Sequence, residues 1–169
     1  MKELGPISAF LAADHERLDL LLASALGTSG DVDPAPYAEF RAGLLRHIGI
    51  EEKVLFPASQ RANGGQPLPQ VKRLHAEHGA LALLLVPTPT ASIIEEIRSI
   101  LVGHNAREEE PGGLYDVCDR LLGEELDAVL EQLSAYPAVK VAPHFDGAGV
   151  VRRAEDALRA VSRMRKEPT

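Results

Sequence analysis

The sequence predicts an all-α fold, an up-down bundle of four helices with a C-terminal helical extension. Three observations carry this. The chain is 45% hydrophobic but only 4% aromatic and lacks Trp, a composition that suits helix interiors better than sheets built from β-branched and aromatic side chains. Apolar residues recur at three- and four-residue steps in four successive stretches. Pro and Gly cluster between those stretches and punctuate them. With 169 residues, one hydrophobic core is the expectation, divided here into a bundle over 1–115 and an extension over 116–169 packed along it.

Phe10, Leu11, Leu18 and Leu22 place a first helix from Pro6 to about Leu26, broken over Gly27 to Pro36. A second begins near Pro34 to Tyr37, where Pro is tolerated in the first turn, and runs through Phe40, Leu44, Leu45 and Leu55 to Pro57. Asn63, Gly64, Gly65 and Pro67 form a loop. The third carries Val71, Leu74, Leu81 and Leu85 and stops at Pro87-Thr-Pro89-Thr, because the pyrrolidine rings forbid continuation. Ser92 is expected to cap the fourth, which carries Ile93, Ile97, Ile100 and Leu101 and reaches Glu110 before Pro111-Gly112-Gly113. Leu114 to Tyr136 reads as one further helix, Ala138 to Val150 as an extended crossing segment, and Val151 to Met164 as a closing helix. Residues 166–169 should fray.

A net charge of -7 argues against a phosphate-backbone partner, which needs a concentrated Lys/Arg surface. The first residues place acidic groups within their apolar run and show no small-residue cleavage site, so they do not read as a signal peptide. The longest near-apolar segment, Gly79 to Pro87, is too short for a bilayer. Cys118 is the only cysteine and reads as a small apolar packing residue. No nucleic acid, no membrane and a cytoplasmic setting are the expectations.

The chemistry lies in an internal echo. Asp14-His15-x-x-Leu18-x-x-Leu21 in the first helix resembles Glu77-His78-x-x-Leu81-x-x-Leu84 in the third. His47-x-x-x-Glu51-Glu52-x-x-Leu55-Phe56 is matched by His104-x-x-x-Glu108-Glu109 and, after a small insertion, Leu114-Tyr115. Four residues turn a helix by about 400°, so His47 and Glu51 leave one face about 6 Å apart. That face is the apolar one: Phe40, Leu44, His47, Glu51 and Val54 share a stripe, as do Ile97, Leu101, His104 and Glu108. Leu11, His15, Leu18 and Leu22 repeat it, as do Val71, Leu74, His78, Leu81 and Leu85. A single core histidine is more often hydrogen-bonded packing than a ligand. Six polar groups in phase with four core stripes are a different matter, since buried carboxylates need a compensating charge that a divalent cation supplies. His15, His47, Glu51, His78, His104 and Glu108 are therefore the predicted ligands of a dinuclear metal centre.

Glu52 and Glu109 lie one residue off the stripes, and Asp14 and Glu77 precede ligand histidines. All four can accept from imidazoles or serve as surface charge. His75, about 60° round the helix from His78, is open between a fifth imidazole and a surface position, and His144 reads as structural. His75-Ala-Glu-His78 is one residue short of the inverted zinc-protease pattern and no His-Glu-x-x-His occurs, which argues against a zinc peptidase. The Glu-x-x-His of ferritin-like bundles is also absent.

On these motifs, His47-xxx-Glu51-Glu52-xx-Leu55-Phe56-Pro57, Glu77-His78 and His104-xxx-Glu108-Glu109, the chain resembles the hemerythrin-like, or HHE cation-binding, family from about Ile7 to Tyr115. The resemblance implies two iron ions bridged by Glu51 and Glu108, one adding His15 and His47 and the other His78 and His104, with an oxo, hydroxo or water bridge. Manganese and zinc also suit such ligands. Oxygen-carrying hemerythrins have five histidines and a bridging Asp five residues after the last; here Glu108 stands at four. The resemblance therefore implies a protein that binds or senses oxygen, nitric oxide or peroxide. The alternatives are a di-iron redox enzyme turning over peroxide or nitric oxide and an iron storage or donation protein. A solvent-facing His75 would favour reactivity, and a ligating one a carrier.

Overall fold

Residues 3–166 are described by a computed structural model, and every regular element among them is helical. The expected frayed end therefore lies, past Lys166, outside the described residues. Pro6 and Pro34 stand in the first turns of α1 (Pro6–Ala25) and α2 (Pro34–Ile50), where their missing N–H leaves no helical bond unmade. Asp33 caps α2 by accepting from the Ala35 N–H at 3.1 Å.

The second rod does not end at Pro57. In an α-helix the proline ring would collide with the carbonyl four residues back. Here Glu51–Leu55 widen into a π-turn, the Phe56 N–H donates to Glu51 O, and α3 (Phe56–Ala62) carries the rod onward. The wider turn also advances the inward face by one residue. Val54, expected on the inward stripe, is half-buried, whereas Leu55 and Phe56 are buried.

Two more elements differ from the sequence reading. After α4 (Val71–Leu84), helix α5 (Ala91–Glu109) is capped by Thr90, not Ser92: Thr90 keeps an extended backbone and its hydroxyl accepts from Ile93 N–H at 3.2 Å. The helix expected over Leu114 to Tyr136 is broken into α6 (Leu114–Leu121), a 3-10 turn at Gly123–Glu125, and α7 (Leu126–Ala135). Gly123 sits at φ +52°, a left-handed conformation that glycine enters without the Cβ penalty.

Two apolar clusters flank a polar layer. One gathers Leu18, Leu22, Phe40, Leu44, Leu81, Leu84, Ile97 and Leu101. The other gathers Ile7, Leu11, Ile50, Leu55, Leu74, Leu114, Tyr115 and Cys118. Helices α1 and α4 run from the second cluster to the first, and α2 and α5 run back. His15, His47, His78 and His104 fall where each rod passes between the clusters.

The last third of the chain shares both clusters. Leu122, Val129 and Leu133 join the second, while Ala157 and Val161 of α8 (Ala154–Met164) join the first. Asp119 of α6 accepts from the backbone N–H groups of Ile7 and Ser8 at 2.8 and 3.0 Å, supplying the anion that the amino end of α1 favours. Residues 136–153 hold no regular structure, turn at 147–149, and are tied to α2 by Arg46 to Tyr136 O and by Arg41 to Ala142 O. No helix among the described residues is long and apolar enough to cross a membrane.

Candidate metal centre

Four helical segments bring all six predicted ligands into one layer, each 5% exposed or less. On one side His78 Nε2 lies 3.0 Å from Glu51 Oε2, and His104 Nε2 lies 3.2 Å from Glu108 Oε1. On the other, His15 Nε2 lies 3.4 Å from Glu108 Oε2, and His47 Nε2 lies 3.7 Å from Glu51 Oε1. Paired rings face each other, with centroids 4.5 Å apart for His15 and His47 and 4.8 Å for His78 and His104.

The donor atoms form two groups. Glu51, His78, His104 and Glu108 each offer an atom within 4.8 Å of the others, and so do His15, His47 and Glu108. Donors held at about 2.0–2.2 Å by one first-row cation stand at most about 4.4 Å apart, so both groups close on an ion with shifts of a few tenths of an ångström. Glu108 belongs to both. Glu51 belongs to the His78 group, with its other oxygen turned toward His47.

Behind the layer, every ring is held through Nδ1 by a carboxylate. Asp14 holds His47 at 2.8 Å, Glu77 holds His104 at 2.9 Å, Glu52 holds His78 at 2.7 Å, and Glu109 holds His15. The pattern repeats between the halves: the acid before each α1 or α4 histidine holds a ring on the next rod, and the acid after each inward glutamate holds a ring on α1 or α4. Such partners fix the tautomer that leaves Nε2 free for a cation and make the imidazole a better donor. Arg17 in turn bonds Asp14 at 2.9 Å, and Arg73 and Arg107 bond Glu77. We expect Asp14→Asn to weaken metal binding about 10–100-fold without loss of helix content, checked by competition with a chelator and circular dichroism.

The sequence reading missed Tyr115. Fully buried, its hydroxyl lies 2.6 Å from Glu51 Oε1, 3.0 Å from Glu108 Oε2 and 3.3 Å from Nε2 of both His15 and His47. The turn after α5 delivers it there. Gly112 sits at φ +82°, and a Cβ on Gly113 would fall 2.7–2.8 Å from three backbone oxygens of residues 107–110, so only glycine fits. Leu114-Tyr115 echoes Leu55-Phe56, and that echo was the available signal. Phe56, at the matching place, stacks on the His78 ring at 5.7 Å and offers no hydroxyl, so the two halves differ by one oxygen.

His75 stands outside the layer. Its side chain is 53% exposed and its Nδ1 meets Glu52 at 2.8 Å. Glu52 thus holds a surface histidine and a buried one together. His144 is exposed beside Tyr37, and buried Cys118 packs in the apolar cluster, where burial pushes its thiol up to about 12.

Charge reinforces the geometry. Burial favours neutral imidazoles, but the facing carboxylates outweigh it and raise His47 to about 10 and His78 and His104 to about 9. Burial likewise opposes ionised acids, yet His47 and Arg17 hold Asp14 down to about 2, and His47 and His78 hold Glu51 well below the usual carboxylate range. Three buried atoms in the layer, Glu51 Oε2, His78 Nε2 and Glu108 Oε1, make no well-directed hydrogen bond and have only the facing charges at 3.0–3.2 Å. Buried polar atoms are normally satisfied, and all three belong to the group that closes on a single cation. The residues therefore fit a cation, which takes the place of the protons that otherwise balance this site.

The family model described as Hemerythrin HHE cation binding domain matches residues 7–111. No curated protein and no solved structure matches the chain. The matched span contains the six inward donors and the four carboxylates behind them, and it ends just before the turn that delivers Tyr115. Because the match covers more than half of the sequence and encloses this His/Glu layer, the chain belongs to the hemerythrin HHE cation-binding domain family.

Proposed function

We propose that the chain is a hemerythrin-like non-haem di-iron protein that binds or senses a small ligand, oxygen, nitric oxide or peroxide. In this reading α1, α2, α4 and α5 form an up-down four-helix bundle within residues 1–115, and residues 116–169 are an extension that seals it. The carrying observation is the layer of four inward Nε2 atoms and two buried carboxylates, whose donor atoms gather into two groups of cation-binding size. His15 and His47 would hold one ion and His78 and His104 the other, with Glu51 and Glu108 between them. Iron supplies a ferrous/ferric change and open positions for a small ligand; manganese and zinc suit the same donors.

The chain's own groups set the conditions for that chemistry. Asp14, Glu52, Glu77 and Glu109 orient the rings, and the two apolar clusters keep bulk water from the layer. Tyr115 places a hydroxyl in the His15 half alone. His75 gives specific support to a second reading, a redox enzyme acting on peroxide or nitric oxide. Its exposed position leaves four inward imidazoles rather than the five of an oxygen carrier, and fewer protein donors leave more coordination open.

Elemental analysis of the aerobically purified protein, followed by anaerobic reduction and exposure to oxygen, nitric oxide and peroxide, tests this. Stoichiometric iron and visible spectra that reverse when the ligand is removed are the expected result. Sustained consumption of peroxide or nitric oxide would move the assignment to the enzyme. Protein that takes up no metal from ferrous solution would overturn both.

A further inference from the structure

The two halves of the layer follow one plan but do not supply the same donors. On one side stand four, Glu51, His78, His104 and Glu108; on the other the acids and imidazoles give three, His15, His47 and Glu108. The hydroxyl of Tyr115 occupies the missing corner. It lies 3.3 Å from Nε2 of both His15 and His47 and 3.0 Å from Glu108 Oε2, and His15 Nε2 lies 3.4 Å from that same carboxylate oxygen. Four donors set tetrahedrally round one first-row cation at about 2.0–2.1 Å stand about 3.3–3.4 Å apart. The spacing of the hydroxyl is thus that of a fourth donor.

Its hydrogen-bonding neighbours all belong to the layer: Glu51, Glu108, His15 and His47. A phenol has one proton to give, yet two carboxylates lie 2.6 and 3.0 Å from this oxygen. One proton cannot serve both fully, whereas a cation shared by these oxygens satisfies them together. The ring has little freedom to turn away. It is fully buried with Ile7, Leu11 and Leu114, and it follows a turn in which Gly113 admits no Cβ.

We infer that Tyr115 is a metal ligand, its phenolate oxygen binding the ion held by His15 and His47, and that this makes the two ions unequal. On binding, the O–H bond breaks, the proton leaves to solvent and the oxygen's electron pair forms the bond to the ion. Burial and the two carboxylates hold the hydroxyl well above its ordinary pKa, so the metal-free chain keeps this proton until a cation displaces it. The other half has no counterpart, since Phe56 at the matching place stacks on the His78 ring and offers no oxygen. An anionic oxygen on one ion alone favours the ferric state there by charge. The first electron into the ferric centre therefore goes to the ion between His78 and His104.

This inference rests on the di-iron reading, and resonance Raman spectra of iron-loaded, air-oxidised protein separate the two. Excitation in the visible band should enhance tyrosinate ring vibrations, which should shift in protein grown on ring-deuterated tyrosine. Tyr115→Phe should lose these vibrations and the charge-transfer absorption completely while keeping wild-type iron content and helical dichroism. Tyr37→Phe and Tyr136→Phe, which replace the chain's other tyrosines, should leave the spectrum unchanged. In a reductive titration the second electron should enter Tyr115→Phe at a higher potential than it enters wild type. Iron-loaded wild type without tyrosinate vibrations, or vibrations that persist in Tyr115→Phe, overturns the ligand and leaves the functional reading standing. If Tyr115→Phe does not load iron, loss of the vibrations in Tyr37→Phe or Tyr136→Phe overturns it instead, and their survival in both supports it. Wild type that takes up no iron brings down the functional reading and this ligand with it.

Discussion

Glu108→Gln is expected to strip the centre of stoichiometric metal while leaving the helices folded. Glu108 is the one carboxylate that belongs to both donor groups, and it is fully buried. The amide keeps the shape and can still accept from Tyr115, but it brings no charge to offset a divalent cation and only one oxygen to share. The affinity loss should exceed the roughly 10–100-fold that accompanies loss of a supporting partner such as Asp14. Stability should move differently. With a chelator present, the variant should unfold below the wild-type temperature at neutral pH, because the protonated imidazoles facing Glu108 lose part of their compensating charge. With iron present, only the wild type should gain, since a ligand stabilises by binding the native state. Elemental analysis and thermal unfolding with and without a chelator check both halves. Full metal content in Glu108→Gln would remove this residue from the site.

Metal uptake is also expected to release protons at neutral pH, and apparent affinity should climb as pH rises toward about 9–10. His47, raised to about 10, and His78 and His104, raised to about 9, carry protons at neutral pH in the metal-free chain, and each must lose its proton to donate to a cation. The same values fix the sign for stability without metal. A histidine whose value is raised on folding contributes stability fully below its ordinary value of about 6.5, and that contribution fades as pH climbs through 9 to 10. The lowered acids, Asp14, Glu51, Glu52 and Glu77, contribute above the ordinary carboxylate range near 4 and fade as pH falls below it, Asp14 as pH falls toward about 2. Metal-free protein should therefore be most stable from about pH 4.5 to 6.5. Denaturation midpoints across pH in chelator, and proton release during metal titration in weak buffer, measure the two effects. A metal-free midpoint that rises from neutral pH to 10 would contradict the charge assignment.

The donor layer was readable in the sequence because it obeys helical periodicity. Each of the six groups replaces an apolar residue on a three-four stripe, and four rods that bury such stripes have to bring them together. The carboxylates behind the rings were only partly readable. Asp14 and Glu77 stand next to His15 and His78 in sequence, yet they hold His47 and His104 on neighbouring rods, a pairing set by how helices pack rather than by spacing. The π-turn at Glu51–Leu55 has no period of its own to detect, and Pro57, read as a terminator, is instead accommodated by it. Tyr115 lay hidden for a similar reason. Its hydroxyl reaches the layer only because Pro111-Gly112-Gly113 folds the chain back, and a helical wheel says nothing about a residue beyond the end of its helix. His75 needed only the rotation of α4, which turns it to solvent.

Anomalous diffraction at the iron edge, on crystals of protein titrated with ferrous iron after chelator treatment, would locate the ions themselves. The expected map holds a pair of adjacent peaks, one between His15 and His47 and the other between His78 and His104, with Glu108 reaching both. A single peak, or metal lodged away from these side chains with the layer closed on itself, would contradict it.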